Sequence, residues 1–241
     1  MSTIVGNGTI TFGDSTTQST ALPSPGTSAN VLTSNGTSWV SQAPNAGFPG
    51  VLAQVFTSSG TFTIPANATA LKITVLGGGG GGGTLVGGGS AGTAISYLTS
   101  LTPGNTLTVT VGSGGSGAAS LSGGGTGGTS SVASGTQSIT TISATGGSGT
   151  SPGSASNATL NIGGNFPTQY TTNINVSYGA GAGSTLGGGG RGYPTGTAAN
   201  GLAGVGYGSG GGGGGLIGHG CCPPTNYSGG NGASGVVIFE W

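Results

Sequence analysis

Seven consecutive glycines, Gly77 to Gly83, follow directly on the apolar run Leu71-Lys-Ile-Thr-Val-Leu76. After Thr84-Leu85-Val86 come three more, Gly87 to Gly89, and similar tracts recur as far as Gly235. Eight of the 61 glycines precede position 77, so 53 of the 159 residues from 77 to 235 are glycine. One in three is collagen's fraction, but the strict Gly-X-Y repeat is missing, which excludes a triple helix. Two readings remain. One is a flexible Gly/Ser linker, the usual meaning of Pro plus Gly above about 25–30% without a period. The other is an ordered lattice of extended, three-residue-per-turn segments. These have no internal hydrogen bonds and must take their partners from neighbours. Only glycine lets such backbones lie so close, with Cα–H···O contacts adding a little. Ordering glycine is entropically unfavourable, so the ends need anchors. Here the tracts alternate with strand-like apolar runs, which linkers lack, and this favours the lattice.

The charged set is nearly empty: Lys72, Arg191, Asp14 and Glu240, net charge zero, with a single histidine, His219. Two basic groups cannot neutralise a run of phosphates, nor form a polybasic membrane anchor, so neither nucleic acid nor a membrane surface is an expected partner. No stretch approaches the roughly 20 apolar residues of a membrane span. The opening Met1-Ser-Thr-Ile-Val-Gly-Asn-Gly has neither the basic nor the apolar region of a signal peptide. So polar and uncharged a chain stays soluble through hydroxyls and amides, or as part of a larger assembly.

Residues 1–47 are polar and turn-rich, with isolated apolar positions and a hairpin turn signal at Asn35-Gly36. Such a segment buries little surface alone, and three copies wound together would bury more. Pro49-Gly50 marks a change of composition, giving a second domain over 48–241. Phe56-Thr-Ser-Ser-Gly-Thr-Phe-Thr-Ile64 reads as a strand, a turn at Ser59-Gly60 and a second strand. Leu71, Ile73 and Val75 share one face of the next, with Lys72 and Thr74 on the other. Strands are also expected at 93–98 and 106–111, the latter half exposed, and more weakly near 129–133, 137–144, 157–162 and 173–178. The final Val236-Val-Ile-Phe-Glu-Trp241 is apolar on both faces and belongs inside a sheet. No 3.6-residue period appears, so no helix is expected. The fold expected is all-β: a β-sandwich-like domain carrying layered polyglycine II segments, preceded by a thin, extended N-terminal segment.

Ile10-Thr-Phe-Gly-Asp-Ser-Thr-Thr-Gln-Ser-Thr-Ala21 and Gly26-Thr-Ser-Ala-Asn-Val-Leu-Thr-Ser-Asn-Gly-Thr-Ser-Trp39 resemble two short elements of bacteriophage tail-fibre proteins. The stretch from Val55 to Trp241 resembles the glycine-rich domain at the ends of such fibres. It does so in Phe56 to Ala66 with Leu71 to Val75 and the glycines after them, and in Gly229 to Trp241. The resemblance implies a homotrimeric shaft in residues 1–47, attached to an upstream fibre or baseplate protein. It also implies a distal domain of stacked glycine helices whose loops touch a protein or glycan of the bacterial surface. Location in the virion, after synthesis in the host cytoplasm, follows from it.

Catalytic and cofactor sites find little support. Glycan cleavage usually needs two carboxylic acids about 5–9.5 Å apart, whereas Asp14 and Glu240 lie in different domains. A Ser-His-Asp triad would have to join His219 to the same distant Asp14. Gly77–Gly83 lacks the Lys-Ser/Thr of a P-loop and the acidic residue of a dinucleotide site. Adjacent Cys221 and Cys222 lack the two-to-four-residue spacing of a zinc ligand pair. Reduced thiols filling small gaps, a strained vicinal disulfide and inter-subunit disulfides stay open for them. No enzyme activity, metal or cofactor is expected.

Contact chemistry remains. Aromatic residues in Gly-flanked loops make adaptable binding surfaces, as in antibody paratopes. The candidates are Phe166, Tyr170, Arg191, Tyr193, Tyr207, Leu216, Ile217, His219, Pro223, Pro224 and Tyr227. They point to a site among the loops 165–170, 191–195 and 216–227, each residue alternatively packing on the glycine lattice. A rigid structural part of the virion is the competing reading. Ice binding, the third, needs a regular three-residue Thr/Ser spacing, and the spacing in the sequence is irregular.

Overall fold

The computed structural model describes residues 52–66, 68–168, 179–217 and 225–241, and before them the backbone of 5–6, 9–11, 17–18, 31–34 and 39–42. The chain divides into two compact units, Met1–Val51 and Leu52–Trp241. In the first, β1 (Val5–Gly6), β2 (Thr9–Thr11) and β3 (Thr17–Gln18) form an antiparallel sheet. Next, β4 (Val31–Ser34) pairs antiparallel with β5 (Trp39–Gln42), Ser34 opposite Trp39. The Asn35-Gly36 turn signal falls between them, outside the described residues.

The second unit opens with β6 (Ala53–Phe56) and β7 (Gly60–Thr63), then β8 (Leu71–Leu76), β9 (Thr93–Leu98) and β10 (Thr106–Thr110). It continues through β11 (Ser130–Ser134), β12 (Ile142–Ala144), β13 (Ala155–Ser156) and β14 (Leu160–Ile162). The last elements are β15 (Leu216–Ile217), β16 (Thr225–Asn226) and β17 (Val236–Glu240). No helix occurs among the described residues, and none is long and apolar enough to cross a membrane.

Two five-stranded antiparallel sheets, ordered β13-β12-β11-β10-β7 and β14-β9-β8-β17-β6, pack face to face. Alternation decides which side chains go inside. In β10, Leu107 and Val109 are buried while Thr108 and Thr110 face water. They meet Phe62, Val132, Ile142, Ile73, Val75, Val237 and Phe239 in one core. The Phe62 and Phe239 rings stack at 3.9 Å, with Phe56 edge-on to both. As its two-sided apolarity predicts, β17 lies inside its sheet, between β8 and β6.

The turn at Ser59-Gly60 carries the chain from one sheet to the other: β6 pairs with β17, whereas β7 pairs with β10. Thr74 does share the outward face with Lys72 but is only 9% exposed, because Ile238 and Ile95 flank it on the neighbouring strands. The strand expected over 137–144 is shorter, Ile142–Ala144, and β13 was not expected. The expected strand at 173–178 lies outside the described residues.

From the sandwich the chain makes repeated out-and-back excursions, over 77–92, 112–128 and 145–154, and then through the described residues of 163–168, 179–217 and 225–235, with fold-backs at 183–187 and 205–207. They form a lattice with a three-residue repeat. Gly77, Gly80 and Gly83 donate their N–H groups to the carbonyls of Gly92, Gly89 and Val86. Gly78 and Gly81 donate to Gly128 and Gly125, and Gly79 and Gly82 to Ala233 and Gly230. Carbonyls follow the same rule: those of Gly79 and Gly82 accept from Gly115 and Ala118, those of Gly80 and Gly83 from Gly211 and Gly214.

The tract 208–215 behaves alike. Its carbonyls at 208, 211 and 214 accept from Ala91, Gly88 and Leu85, and those at 209, 212 and 215 from Ala233, Gly230 and Tyr227. Its N–H groups at 210 and 213 donate to Ala182 and Gly179, those at 212 and 215 to Leu202 and Ala199. Partners that change direction at each residue and return every third are the signature of a three-residue-per-turn helix, here surrounded on all sides by others. Gly77–Gly83 and Gly208–Gly215 are buried throughout. A Cβ on Gly79 would fall within 3.0 Å of the Ser209 carbonyl, and one on Gly82 within 3.0 Å of the Gly212 carbonyl. Side chains are excluded by neighbouring backbone, whose carbonyl oxygens face the Cα hydrogens instead.

Candidate functional site

The tract 77–83 leaves β8 and, at about 3.1 Å per residue, carries the chain roughly 20 Å from the sandwich. It ends in a tight turn in which Gly83 N–H donates to the Val86 carbonyl and Leu85 takes a positive φ of 61°. Thr84 is fully buried there: its N–H donates to the Ser120 carbonyl and its hydroxyl to the Tyr227 carbonyl, 2.9 Å away. Thr84 thus ties the first excursion to the last at the distal end.

Around this point the structure gathers several of the candidates. Tyr193 N–H donates to the Gly213 carbonyl, Thr195 forms a parallel bridge with Leu216, and Gly196 N–H donates to the Leu216 carbonyl. Leu216 and Ile217, in β15, pair with Asn226 and Thr225 of β16, and Tyr227 N–H donates to the Gly215 carbonyl. Arg191 is exposed, its guanidinium 5.7 Å from the centre of the Tyr193 ring, within cation–π range. Arg191, Tyr193, Leu216, Ile217 and Tyr227 therefore share the distal end of the lattice. With Lys72 paired to Glu240 in the sandwich, Arg191 is the one cation among the described residues without a carboxylate partner.

Other candidates lie elsewhere. Phe166, 73% exposed, sits part-way along the lattice: Asn165 N–H donates to the Ser90 hydroxyl and its side-chain amide to the Gly183 carbonyl. Tyr207 occupies the proximal turn, where its carbonyl accepts the Ser184 hydroxyl proton and the following Gly208 abuts the Leu76 side chain. Tyr170, His219, Pro223 and Pro224, with Cys221 and Cys222, lie outside the described residues. Among the described residues no group of three or more His, Cys, Asp or Glu side chains stands together.

Leu121 was not anticipated. It is 60% exposed in the turn that follows Ser120, so it joins the distal end. Its signal was a lone large aliphatic in Ala118-Ala-Ser-Leu-Ser122, a segment with no other reason to carry one. Leu202 and Val205, 50% and 69% exposed, were likewise missed.

The unit is thus an all-β sandwich carrying a glycine-helix lattice, a scaffold that presents loops. The chain belongs to the glycine-rich domain family, whose model matches residues 56–241. A comparison with curated proteins found no match.

Proposed function

We propose that this chain is a bacteriophage tail-fibre or receptor-binding protein that recognises the bacterial surface without catalysis, through the distal loops of its glycine lattice. The observation that carries the reading is the convergence of Arg191, Tyr193, Leu216, Ile217, Tyr227 and Leu121 where the excursions turn, farthest from the sandwich. Aromatic and aliphatic side chains on short turns suit a protein or glycan surface, and Arg191 supplies a donor fork for a sugar hydroxyl or an acidic group. The tail-fibre resemblance of residues 1–47 supports assembly as a homotrimer, attachment to an upstream virion protein, and location in the virion.

The test is adsorption of the purified, labelled full chain to a panel of bacterial strains. Binding to a susceptible strain is expected, falling at least tenfold when Tyr193→Ala and Tyr227→Ala are combined. With one unpaired charge at the site, adsorption should change little between about 50 and about 300 mM salt. Adsorption to no strain, with the chain located inside the particle rather than at a fibre end, would favour a rigid structural part of the virion.

A further inference from the structure

A water-facing side of an antiparallel sheet ordinarily carries polar residues. The outer face of the β14-β9-β8-β17-β6 sheet departs from this. Read across the register, one row runs Val55, Ile238, Thr74, Ile95, Leu160, apolar at four of five positions. The next row toward the lattice, Val236, Leu76 and Thr93, is buried because the chain's own turns lie over it. The Thr185 and Thr93 hydroxyls are hydrogen-bonded at 2.8 Å, and Gly208 sits against Leu76. Beyond those turns the face lies open: Val55 is 54% exposed, Leu160 51% and Tyr97 60%.

We propose that this face pairs with the same face of a second copy of the chain, about a two-fold axis lying in the interface and running between β8 and β17. Charge argues for this occupant. The face's charges are Lys72 and Glu240, side by side on those two strands with Nζ and Oε2 2.7 Å apart. The axis lays Lys72 of each copy over Glu240 of the other, with no like charges opposed. It also lays Val55 over Ile95 of the second copy, apolar on apolar, and Ile238 over the largely buried Thr74, at the roughly 10 Å separation of stacked sheets. About that axis β9, β8, β17 and β6 overlap, four strands at about 4.8 Å spacing or roughly 14 Å, with Leu160 of β14 at the rim. A face of that extent falls below the roughly 800 Å² per partner of a stable interface, so the pairing is reversible and concentration-dependent.

The experiment is sedimentation velocity on the full chain from about 1 µM to about 1 mM, a range spanning weak association. Assembly through residues 1–47 sets the low-concentration mass, and the face doubles it at the high end. Val55→Glu, an exposed edge position, should weaken the doubling at least tenfold. Lys72→Glu and Glu240→Lys should each weaken it, and an equal mixture of those two variants should restore it, because only unlike faces then attract. Val55→Glu changes an exposed edge position, and the two charge reversals place like charges side by side on a partly exposed strand pair, a small cost beside the core, so folding is retained. A mass independent of concentration, a doubling indifferent to Val55→Glu, or a mixture no stronger than its components would overturn the proposal. None of these outcomes depends on whether the distal loops bind a cell surface.

Discussion

Between the two sheets, Phe62, Phe239, Ile73, Val109 and Val132 fill the space with side chains. Between Gly79 and Ser209 there is only backbone. The sandwich gains its stability from apolar area removed from water, a non-directional term that tolerates some repacking. The lattice has almost no such area to bury. Its amides are shielded from water and therefore must be answered, since each buried group left unpaired costs about 1–3 kcal/mol. Its partners return at every third residue, so one displaced segment disturbs neighbours on several sides. The two regions also depend on each other: β8 and β17 hold the first and last glycine tracts in register through Val236 opposite Leu76, and without those anchors ordering so much glycine would be unfavourable.

Sandwich and lattice should fail under different substitutions. Phe62→Ala removes a fully buried ring from the stack with Phe239 and should lower stability by about 3–5 kcal/mol, measured by chemical denaturation. Gly79→Ala adds a single methyl, harmless in an ordinary extended chain, yet here driven into the Ser209 carbonyl; it should cost about 3 kcal/mol or more. A loss below about 1 kcal/mol would mean that the segments can move apart. Gly163→Ala sharpens the contrast: nothing lies within 4 Å of its added Cβ and its φ is ordinary, so stability should be unchanged or rise by about 0.4–1 kcal/mol.

The smallest effect concerns the Lys72–Glu240 pair. The hydrogen bond that Lys72 donates to the Glu240 carboxylate, joined by that carboxylate's charge and opposed by partial desolvation, raises Lys72 above its ordinary value of 10.5. A raised folded value means that the pair's contribution is complete below pH 10.5 and is lost as pH climbs through the folded value. For an exposed pair this amounts to at most about 1 kcal/mol. Lys72→Met should abolish that part of the alkaline loss in a pH series of denaturation midpoints.

The sequence already carried the side-chain half of this architecture. The alternation of Leu107 and Val109 with threonines, and the two-sided apolarity of Val236 to Phe239, identify β10 and β17 without a structure, because each follows from a local period. The crossing at Ser59-Gly60 was not legible: a turn signal gives the bend, while the partners of β6 and β7 lie about 180 and 45 residues away along the chain. The glycine half was legible as a principle but not as a register. One glycine is chemically the same as the next, so nothing local says that Gly79 meets Ala233 rather than Gly232; the anchoring strands and the turn at Thr84 decide it. At the distal end, Arg191 and Tyr193 stood out as rare residues, whereas Leu121 lay hidden in a serine-rich segment. Tyr207 had the same local appearance as Tyr193, yet the fold-back at 205–207 carries it to the opposite end of the lattice.

Amide hydrogen exchange on the full chain, resolved over residues 77–83 and 208–215, tests the lattice most directly. If each tract amide is held by a neighbouring segment, these residues exchange as slowly as β8 and β17. Exchange at the rate of free glycine chain, with β8 and β17 still protected, would contradict the account: the sandwich would then stand alone and the distal loops would have no scaffold to hold them together.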